Sequence, residues 1–280
     1  MIRLLTGKEP AAALASGLKE AVARLHRPPH LAVVRAGDDP ASARYVRGIA
    51  RRAEKAGIEV GVRALDATAT YAEFVAATEA AGNDPAVDAV QVQKPVPEGR
   101  HTSEVVERIS ATKDVEGIHP ENQGLLLLGR PRYIPCTAAA VVRLLQHHGV
   151  PLAGKNAVVV GRSDILGKPL ATLLLGLHAT VTVCHTRTAN LADEVARADL
   201  VIAAAGSPEL VRAEWIAEGA VVVDVGHHVL DDGRTVGDVQ SGAETRASAI
   251  TPVPGGVGPL TVIELLSNVV AAAAHHCATS

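Results

Sequence analysis

The regular alternation of helix-like and strand-like segments constrains the fold of this 280-residue chain more than any other feature. Stretches with apolar residues at helical spacing, such as DDPASARYVRGIARRAEKAGI, alternate with short apolar ones such as HLAVVRAG and NAVVVG. This order is typical of βαβ units, which build mostly parallel sheets. The unbroken valine runs in the second half fit strands that are buried on both faces. The sequence therefore predicts an α/β fold.

A connector rich in Gly, Pro and Asn, KDVEGIHPENQGLLLLGRPRYIPCT, separates two halves of this alternation. The chain length also favours two domains over one. We predict an N-terminal α/β domain of residues 1–120, completed by a C-terminal helix of residues 260–280, and a second domain of residues 121–259. Glu264 and Asn268 interrupt the apolar C-terminal segment, so we expect an amphipathic helix and no membrane span.

Composition limits the classes of partner. The formal net charge is −3 and no basic stripe is present that could neutralise phosphates, so nucleic-acid binding is not expected. Cys136, Cys184 and Cys277 lack the spacing of disulfides or metal sites, and the N-terminus shows no signal peptide. We therefore expect a cytoplasmic protein that holds no metal ion.

The segment NAVVVGRSDILGKPLATLLL has the order of a strand, a glycine turn and the start of a helix. Gly161 allows a tight turn and Gly167 permits close packing, while Ser163 and the free amides of the new helix can face a pyrophosphate. The spacing is one residue longer than that of the usual dinucleotide fingerprint. The alternative is that these glycines serve only the geometry of an ordinary βα turn. The strand and the helix on either side of the turn favour a dinucleotide site.

The end of the next strand, in TVTVCHTRT, indicates which nucleotide is bound. A carboxylate there would bind the ribose hydroxyls of NAD, but this chain has His185, Thr186 and Arg187. Arg162 lies in the preceding glycine turn. Two guanidinium groups and a hydroxyl suit a 2′-phosphate, so NADP is favoured over NAD. The alternative is that Arg187 only points into solvent.

A third candidate region is AVDAVQVQKPVPEG, a buried strand of residues 87–92 that ends before Pro95. Proline cannot donate to a sheet ladder, so it stops the strand and fixes an extended turn. Ligands of open α/β sheets bind at the carboxyl ends of the strands. Gln93 and Lys94 lie at that end and are candidate site residues.

The motifs GRSDILGKP, KDVEGIHPENQG, IPCT, VGDV and above all TPVPGGVGPLT resemble the bifunctional methylenetetrahydrofolate dehydrogenase/methenyltetrahydrofolate cyclohydrolase family. The resemblance runs from about residue 5 to the last helix. It implies a folate-binding catalytic domain and a Rossmann-like NADP domain around a cleft, usually in a homodimer. The implied chemistry is NADP-dependent oxidation of 5,10-methylenetetrahydrofolate to the methenyl cation, followed by hydrolysis to 10-formyltetrahydrofolate.

The resemblance implies several site residues, and this chain departs from some of them. Tyr45 and Gln93 match the family pattern, but Ile49 stands where the family has a lysine one helical turn after the tyrosine. Lys94 replaces a leucine, and Glu116 replaces the aspartate that holds the pterin. The family's catalytic amine on this helix is therefore missing.

The resemblance also implies that PGGVGP forms a tight turn where the backbone approaches the ligand, which only small residues allow. Just after this turn, Leu260 replaces a methionine of the family. Elsewhere, His227-His228 replace an isoleucine-asparagine pair. The two histidines either have a ligand-binding or proton-transfer role or are plain loop residues, and both alternatives stay open. The residues expected to bind substrate are Tyr45, Ile49, Pro254, Gly255, Gly256, Gly258 and Leu260.

The missing amine affects the two half-reactions differently. Hydride transfer needs mainly the alignment of two rings, whereas attack of water needs a group that moves protons near neutral pH. One hypothesis is that Lys94 replaces the amine, with Glu116 as its partner, although strand alternation sends Lys94 and Gln93 to opposite faces. Alternatives are a specialised paralogue that acts on a modified folate one-carbon donor, and a catalytically silent folate- or nucleotide-binding subunit.

Overall fold

The structure is a computed structural model that describes residues 2–279. Within that range the chain alternates between strands and helices over most of its length, as the sequence predicts. The strands are β1 (Arg3–Leu4), β2 (His30–Ala36), β3 (Glu59–Leu65), β4 (Ala89–Val92), β5 (Asn156–Val160), β6 (Thr180–Cys184), β7 (Leu200–Ala203), β8 (Val221–Asp224), β9 (His228–Val229), β10 (Thr235–Val236) and β11 (Ala249–Ile250).

The helices lie between these strands and at the end of the chain. They are α1 (Lys8–Val22), α2 (Pro40–Ala56), α3 (Tyr71–Asn83), α4 (Thr102–Val106), α5 (Pro120–Leu127), α6 (Cys136–His147), α7 (Gly167–Gly176), α8 (Leu191–Ala196) and α9 (Gly258–Thr279). The helix α2 shows why the boundaries fall where they do. The Asp39 side chain accepts hydrogen bonds from the first free amides, Pro40 opens the helix, and Gly57 closes it in the left-handed conformation.

The chain forms two compact units. One contains residues 2–12 and 136–261, and its main sheet is parallel, in the order β1-β11-β8-β7-β5-β6. All four residues of β7 are buried, as expected for a strand that is covered on both faces. Val201, Val222 and Ile216 belong to the apolar core of this unit.

The other unit contains residues 13–135 and 262–279, with a parallel three-stranded sheet in the order β3-β2-β4. Phe74 of α3 is fully buried and packs with Val34, Val90 and other apolar residues on one face of this sheet. The predicted α/β class with mostly parallel sheets is confirmed. The predicted functional division near residues 120 and 260 stays a prediction, because compactness alone does not say which ligand each unit binds.

Helix α9 is long and apolar enough to cross a membrane by length and composition alone. However, 56% of an 18-residue stretch within Gly258–Cys277 is buried in the protein, and core helices of soluble proteins meet the same criterion. Its Glu264 is itself buried, and the Asn268 amide donates to the carbonyls of Val115 and Ile134. These polar contacts with the protein fit a packed helix.

Candidate functional site

Two glutamines line one face of β4 and its carboxyl end. Gln91 is 1% exposed, and its Nε2 donates to Oε1 of Gln93 at 3.3 Å. Gln93 in turn donates from Nε2 to the carbonyl of Lys94 at 3.2 Å. Residues two apart in a strand share a face, which explains why these amides meet. Gln91 was not selected from the sequence; its polar type in an otherwise apolar strand is the signal that could have identified it.

The turn of residues 113–117 lies along the free edge of β4. A parallel bridge joins Val90 to Asp114, and the Val90 amide donates to the carbonyl of Lys113 at 2.8 Å. This pairing brings the half-buried Glu116 beside Gln91 and Val92. A glutamate that is distant in sequence thus reaches the predicted strand-end site.

The carboxyl group of Glu116 has a strongly shifted pKa. Burial is the largest cause and the negative charge of Asp114 adds to it, so that the pKa rises to about 8. The positive charge of Lys94 and hydrogen bonds from Gln91 and the Val92 backbone act in the opposite direction but do not compensate. A carboxyl group with a pKa near neutrality is suited to acid–base chemistry.

Asp114 has a structural role in the same turn. It is 1% exposed, accepts hydrogen bonds from the amide of His119 at 2.7 Å and from Nδ2 of Asn122 at 2.9 Å, and so holds the start of α5. Burial raises the pKa of Asp114 despite these hydrogen bonds. In its ionised form, Asp114 also contributes to the raised pKa of Glu116.

Helix α2 carries Tyr45 and Ile49 one turn apart. Tyr45 is half-buried, whereas Ile49 is completely buried and presents only hydrocarbon. Position 49 therefore offers no amine to a substrate. The predicted contact of Tyr45 and Ile49 with a ligand stays a prediction.

Lys94 has different surroundings from Gln93, in line with strand alternation. It is exposed and lines a surface pocket of about 460 Å³ together with residues of the 95–102 loop and Asp39. The buried hydroxyl of Thr102, at the same pocket, has no hydrogen-bond partner among the described residues. Lys94 nevertheless lies close enough to Glu116 for its charge to lower that residue's pKa.

In the other unit, the turn between β5 and α7 has the predicted tight geometry. Gly161 has a φ of +139°, and an added Cβ would lie 2.1 Å from the carbonyl oxygen of Ala204. A Cβ on Gly167 would lie 2.2 Å from the carbonyl oxygen of Gly161. The side chains of Arg162 and Ser163 are exposed. Such a turn lets the backbone approach a phosphate group closely.

The carboxyl end of β6 lies next to that turn, since β5 and β6 are paired. The His185 amide donates to Oγ1 of Thr188 at 2.8 Å, and Nδ1 of His185 accepts from the Arg187 amide at 3.1 Å. These bonds fix the loop and leave Thr186 and Arg187 exposed. Residues 185–190 include no carboxylate, so the geometry fits a cofactor with an additional phosphate.

The residues predicted from the sequence do not include Asp238, whose buried carboxylate lies near this turn. Asp238 is 0% exposed and accepts hydrogen bonds from the successive amides of residues 205–207, at 2.6, 2.9 and 3.1 Å. It also pairs with Nε2 of His228 at 2.7 Å, while His227 is exposed. The VGDV motif contains this aspartate and is the signal that could have found it. Asp238 fixes the loop that follows β7.

The PGGVGP segment forms the predicted tight turn before α9. Gly255 has a φ of +116°, and its carbonyl accepts from the Gly7 amide at 2.9 Å. A Cβ on Gly256 would lie 2.7 Å from Cβ of Thr251. Leu260 is fully buried. Contact of residues 254–258 and Leu260 with substrate stays a prediction.

Comparisons with known proteins agree along most of the chain. A model described as tetrahydrofolate dehydrogenase/cyclohydrolase, catalytic domain, matches residues 5–116, and one described as the NAD(P)-binding domain of the same family matches residues 135–277. The bifunctional protein FolD of Pelobacter propionicus is 48% identical over 272 residues, 96% of each chain.

Solved structures of bifunctional dehydrogenase/cyclohydrolases also match this chain. The bifunctional enzyme FolD, methylenetetrahydrofolate dehydrogenase/cyclohydrolase, from Campylobacter jejuni matches with a TM-score of 0.94 and 41% identity, over 98% of this chain and 99% of that one. The Trypanosoma brucei enzyme, solved with NADP cofactor and inhibitor, matches with a TM-score of 0.91 and 38% identity over 98% of each chain.

Proposed function

The chain belongs to the tetrahydrofolate dehydrogenase/cyclohydrolase family, and from this premise we propose that it oxidises 5,10-methylenetetrahydrofolate to 5,10-methenyltetrahydrofolate with NADP. One observation carries the proposal. The glycine turn of residues 161–167 lies beside a loop that presents Arg187 and no carboxylate. A dinucleotide with a 2′-phosphate fits both features. NADP supplies the acceptor for the hydride.

The residues of the chain contribute binding and orientation to this reaction. We infer that Tyr45, Gln93 and Glu116 bind the reacting end of the folate, and that the turn of residues 254–258 approaches the substrate with its backbone. Gly161, Arg162, Ser163, Gly167, Thr186 and Arg187 bind the cofactor. Hydride transfer then depends on alignment at near-attack distance, which is worth several kcal/mol and needs no side chain to move a proton.

Hydrolysis of the methenyl product has different requirements. Because Ile49 offers only buried hydrocarbon, attack of water depends on a proton-handling group elsewhere in the chain. The dehydrogenase therefore tolerates the departures from the family pattern better than the cyclohydrolase does.

We also propose that the protein is a cytoplasmic homodimer. The supporting feature is β3, an edge strand of seven residues whose Val62 is 46% exposed. Uncovered edge strands pair readily with another chain, and closed two-fold pairs are the commonest oligomers. Measurement of the mass in solution tests this part separately.

A direct assay tests the main proposal. The purified chain is incubated with 5,10-methylenetetrahydrofolate and either NADP or NAD, and reduced nucleotide and methenyl product are measured. NADP should be the better acceptor. Arg187→Ala should weaken its use about tenfold or more, because a charge-assisted hydrogen bond is worth roughly 1.5–3 kcal/mol.

Arg212→Ala is the matched control, since Arg212 is exposed in the same unit but is not among the proposed cofactor-binding residues. It should leave turnover unchanged. Equal use of NAD and NADP would contradict the cofactor assignment. Binding of NADP without turnover would favour the silent subunit, and turnover only with a modified one-carbon donor would favour the specialised paralogue.

A further inference from the structure

The strand-end site contains a connected set of polar groups that no single motif accounts for. Gln91 uses its Nε2 atom to donate to Gln93 at 3.3 Å and also hydrogen-bonds Glu116. The amide therefore joins the glutamine kept from the family pattern to the glutamate that departs from it. Gln91 is 1% exposed, so this link lies inside the protein.

Gln91 also has an unused acceptor. Its Oε1 is buried and has no hydrogen-bond partner among the described residues. Buried polar atoms in native proteins are nearly always satisfied, so such an atom beside a half-buried carboxyl group indicates a place for a further donor. A water molecule or a polar group of a substrate would satisfy it.

The charges around Glu116 have opposite signs. Asp114, from its own turn, is negative and favours the protonated carboxyl group; Lys94, from the loop after β4, is positive and favours the carboxylate. The polar groups that face it from β4 are Gln91 and the Val92 amide. Burial and the charge of Asp114 outweigh the charge of Lys94 and these hydrogen bonds, so the pKa of Glu116 rises to about 8 and both protonation states are accessible near neutral pH.

We propose that Glu116 is the proton-transfer group for hydrolysis of the methenyl substrate, positioned by Gln91 and adjusted in charge state by Lys94. This inference rests on the proposed function of the chain. It assigns proton transfer to the carboxyl group of Glu116. Lys94 then acts through its charge and does not replace the amine that is missing at position 49. Ile49 is fully buried, and Lys94 is exposed at a surface pocket whose lining does not include Glu116, whereas Glu116 is hydrogen-bonded to Gln91 and the Val92 backbone of β4.

In this hydrolysis one proton of the attacking water passes through Glu116. The oxygen of water bonds to the methenyl carbon while the Glu116 carboxylate takes one of the water's protons. That proton then passes from Glu116 to N5 as the carbon–N5 bond breaks. The remaining O–H proton leaves to solvent as the formyl C=O forms, so methenyltetrahydrofolate and water give 10-formyltetrahydrofolate and one proton.

The test supplies 5,10-methenyltetrahydrofolate directly, without NADP, and follows its disappearance across the pH range, with the uncatalysed decay subtracted at each pH. The parent rate should rise with pH through about 8, because the carboxylate is the active form. We call this rise of the rate the pH limb. Glu116→Gln should lower the rate by about 10²–10⁴-fold and remove this pH limb. Lys94→Ala should move the limb to higher pH, because the favourable positive charge is lost.

Lys94→Arg should restore the parent profile, and Lys55→Ala, an exposed lysine on α2, should not change it. Thermal unfolding of each variant checks that it is folded. Absence of hydrolysis by the parent, a Glu116→Gln rate within threefold of the parent, or an unmoved limb in Lys94→Ala would overturn the inference. Oxidation of the methylene substrate, measured separately, shows whether the proposed function itself has failed.

Discussion

The guanidinium group of Arg27 donates two hydrogen bonds to the carboxylate of Asp88, from Nη1 at 2.8 Å and from Nη2 at 2.6 Å. The same carboxylate accepts from the His30 amide at 2.9 Å and contacts Nδ1 of His276 at 3.3 Å. Asp88 is 0% exposed and precedes β4 directly. This one side chain therefore ties the entrance to β2 and the C-terminal part of α9 to the strand that carries Gln91 and Gln93.

Replacement of Arg27 by alanine should destabilise the protein. It leaves a buried carboxylate without its bidentate partner, which costs about 1–3 kcal/mol in the free energy of unfolding. The lower part of that range is expected because the Arg27 side chain is 43% exposed. Urea denaturation measures the change. Arg24→Ala, an exposed arginine on the same segment, is the control, and equal midpoints for the two variants would contradict the prediction.

Asp88 should also make the fold sensitive to acid. Burial alone would raise its pKa, but hydrogen bonds from Arg27, the His30 backbone and His276 outweigh burial, and the pKa lies below the ordinary 3.8. A pKa that is lower in the folded state stabilises the fold above the unfolded-state pKa, and this stabilisation is lost as the pH falls below about 4. The stability difference between the parent and Asp88→Asn should therefore shrink in acid. A difference that stays constant would refute this.

Substitution of Gly167 by alanine should impair the cofactor turn. The new Cβ would lie 2.2 Å from the Gly161 carbonyl oxygen, so the turn must shift. Overpacking of this kind costs about 1–3 kcal/mol, and NADP affinity should fall about tenfold or more. Titration calorimetry measures it. Gly176→Ala is the matched control on the same helix, because no atom lies within 4 Å of its Cβ position, and it should leave affinity unchanged.

Asp238→Asn should weaken both stability and NADP binding. The amide cannot accept all the hydrogen bonds that the two carboxylate oxygens receive from residues 205–207 and His228, and each buried donor left unpaired costs about 1–3 kcal/mol. The loop it holds follows β7, beside the glycine turn. Unfolding and NADP titration check both effects. Asp232→Asn, at an exposed position, should alter neither; an unchanged Asp238→Asn protein would show that the loop does not need this carboxylate.

Much of the fold follows from features that are local in sequence. The alternation of segments predicts parallel sheets, and Pro40 and Gly57 mark the ends of α2, because helix caps involve only neighbouring residues. The glycine turn after β5 is local in part, since Gly167 is limited by the Gly161 carbonyl of the same turn, whereas the limit on Gly161 comes from the Ala204 carbonyl after β7 and depends on the tertiary structure.

The sequence by itself determined the α/β class, the family resemblance and the absence of an amine at position 49. Only the tertiary structure decided that Gln91 and Glu116 meet, that Asp238 holds the loop of residues 205–207, and that the pKa of Glu116 reaches about 8. The physical reason is that desolvation and Coulomb energies depend on distances through space. Lys94, Asp114 and Gln91 act on one carboxyl group only because the 113–117 turn folds along the edge of β4.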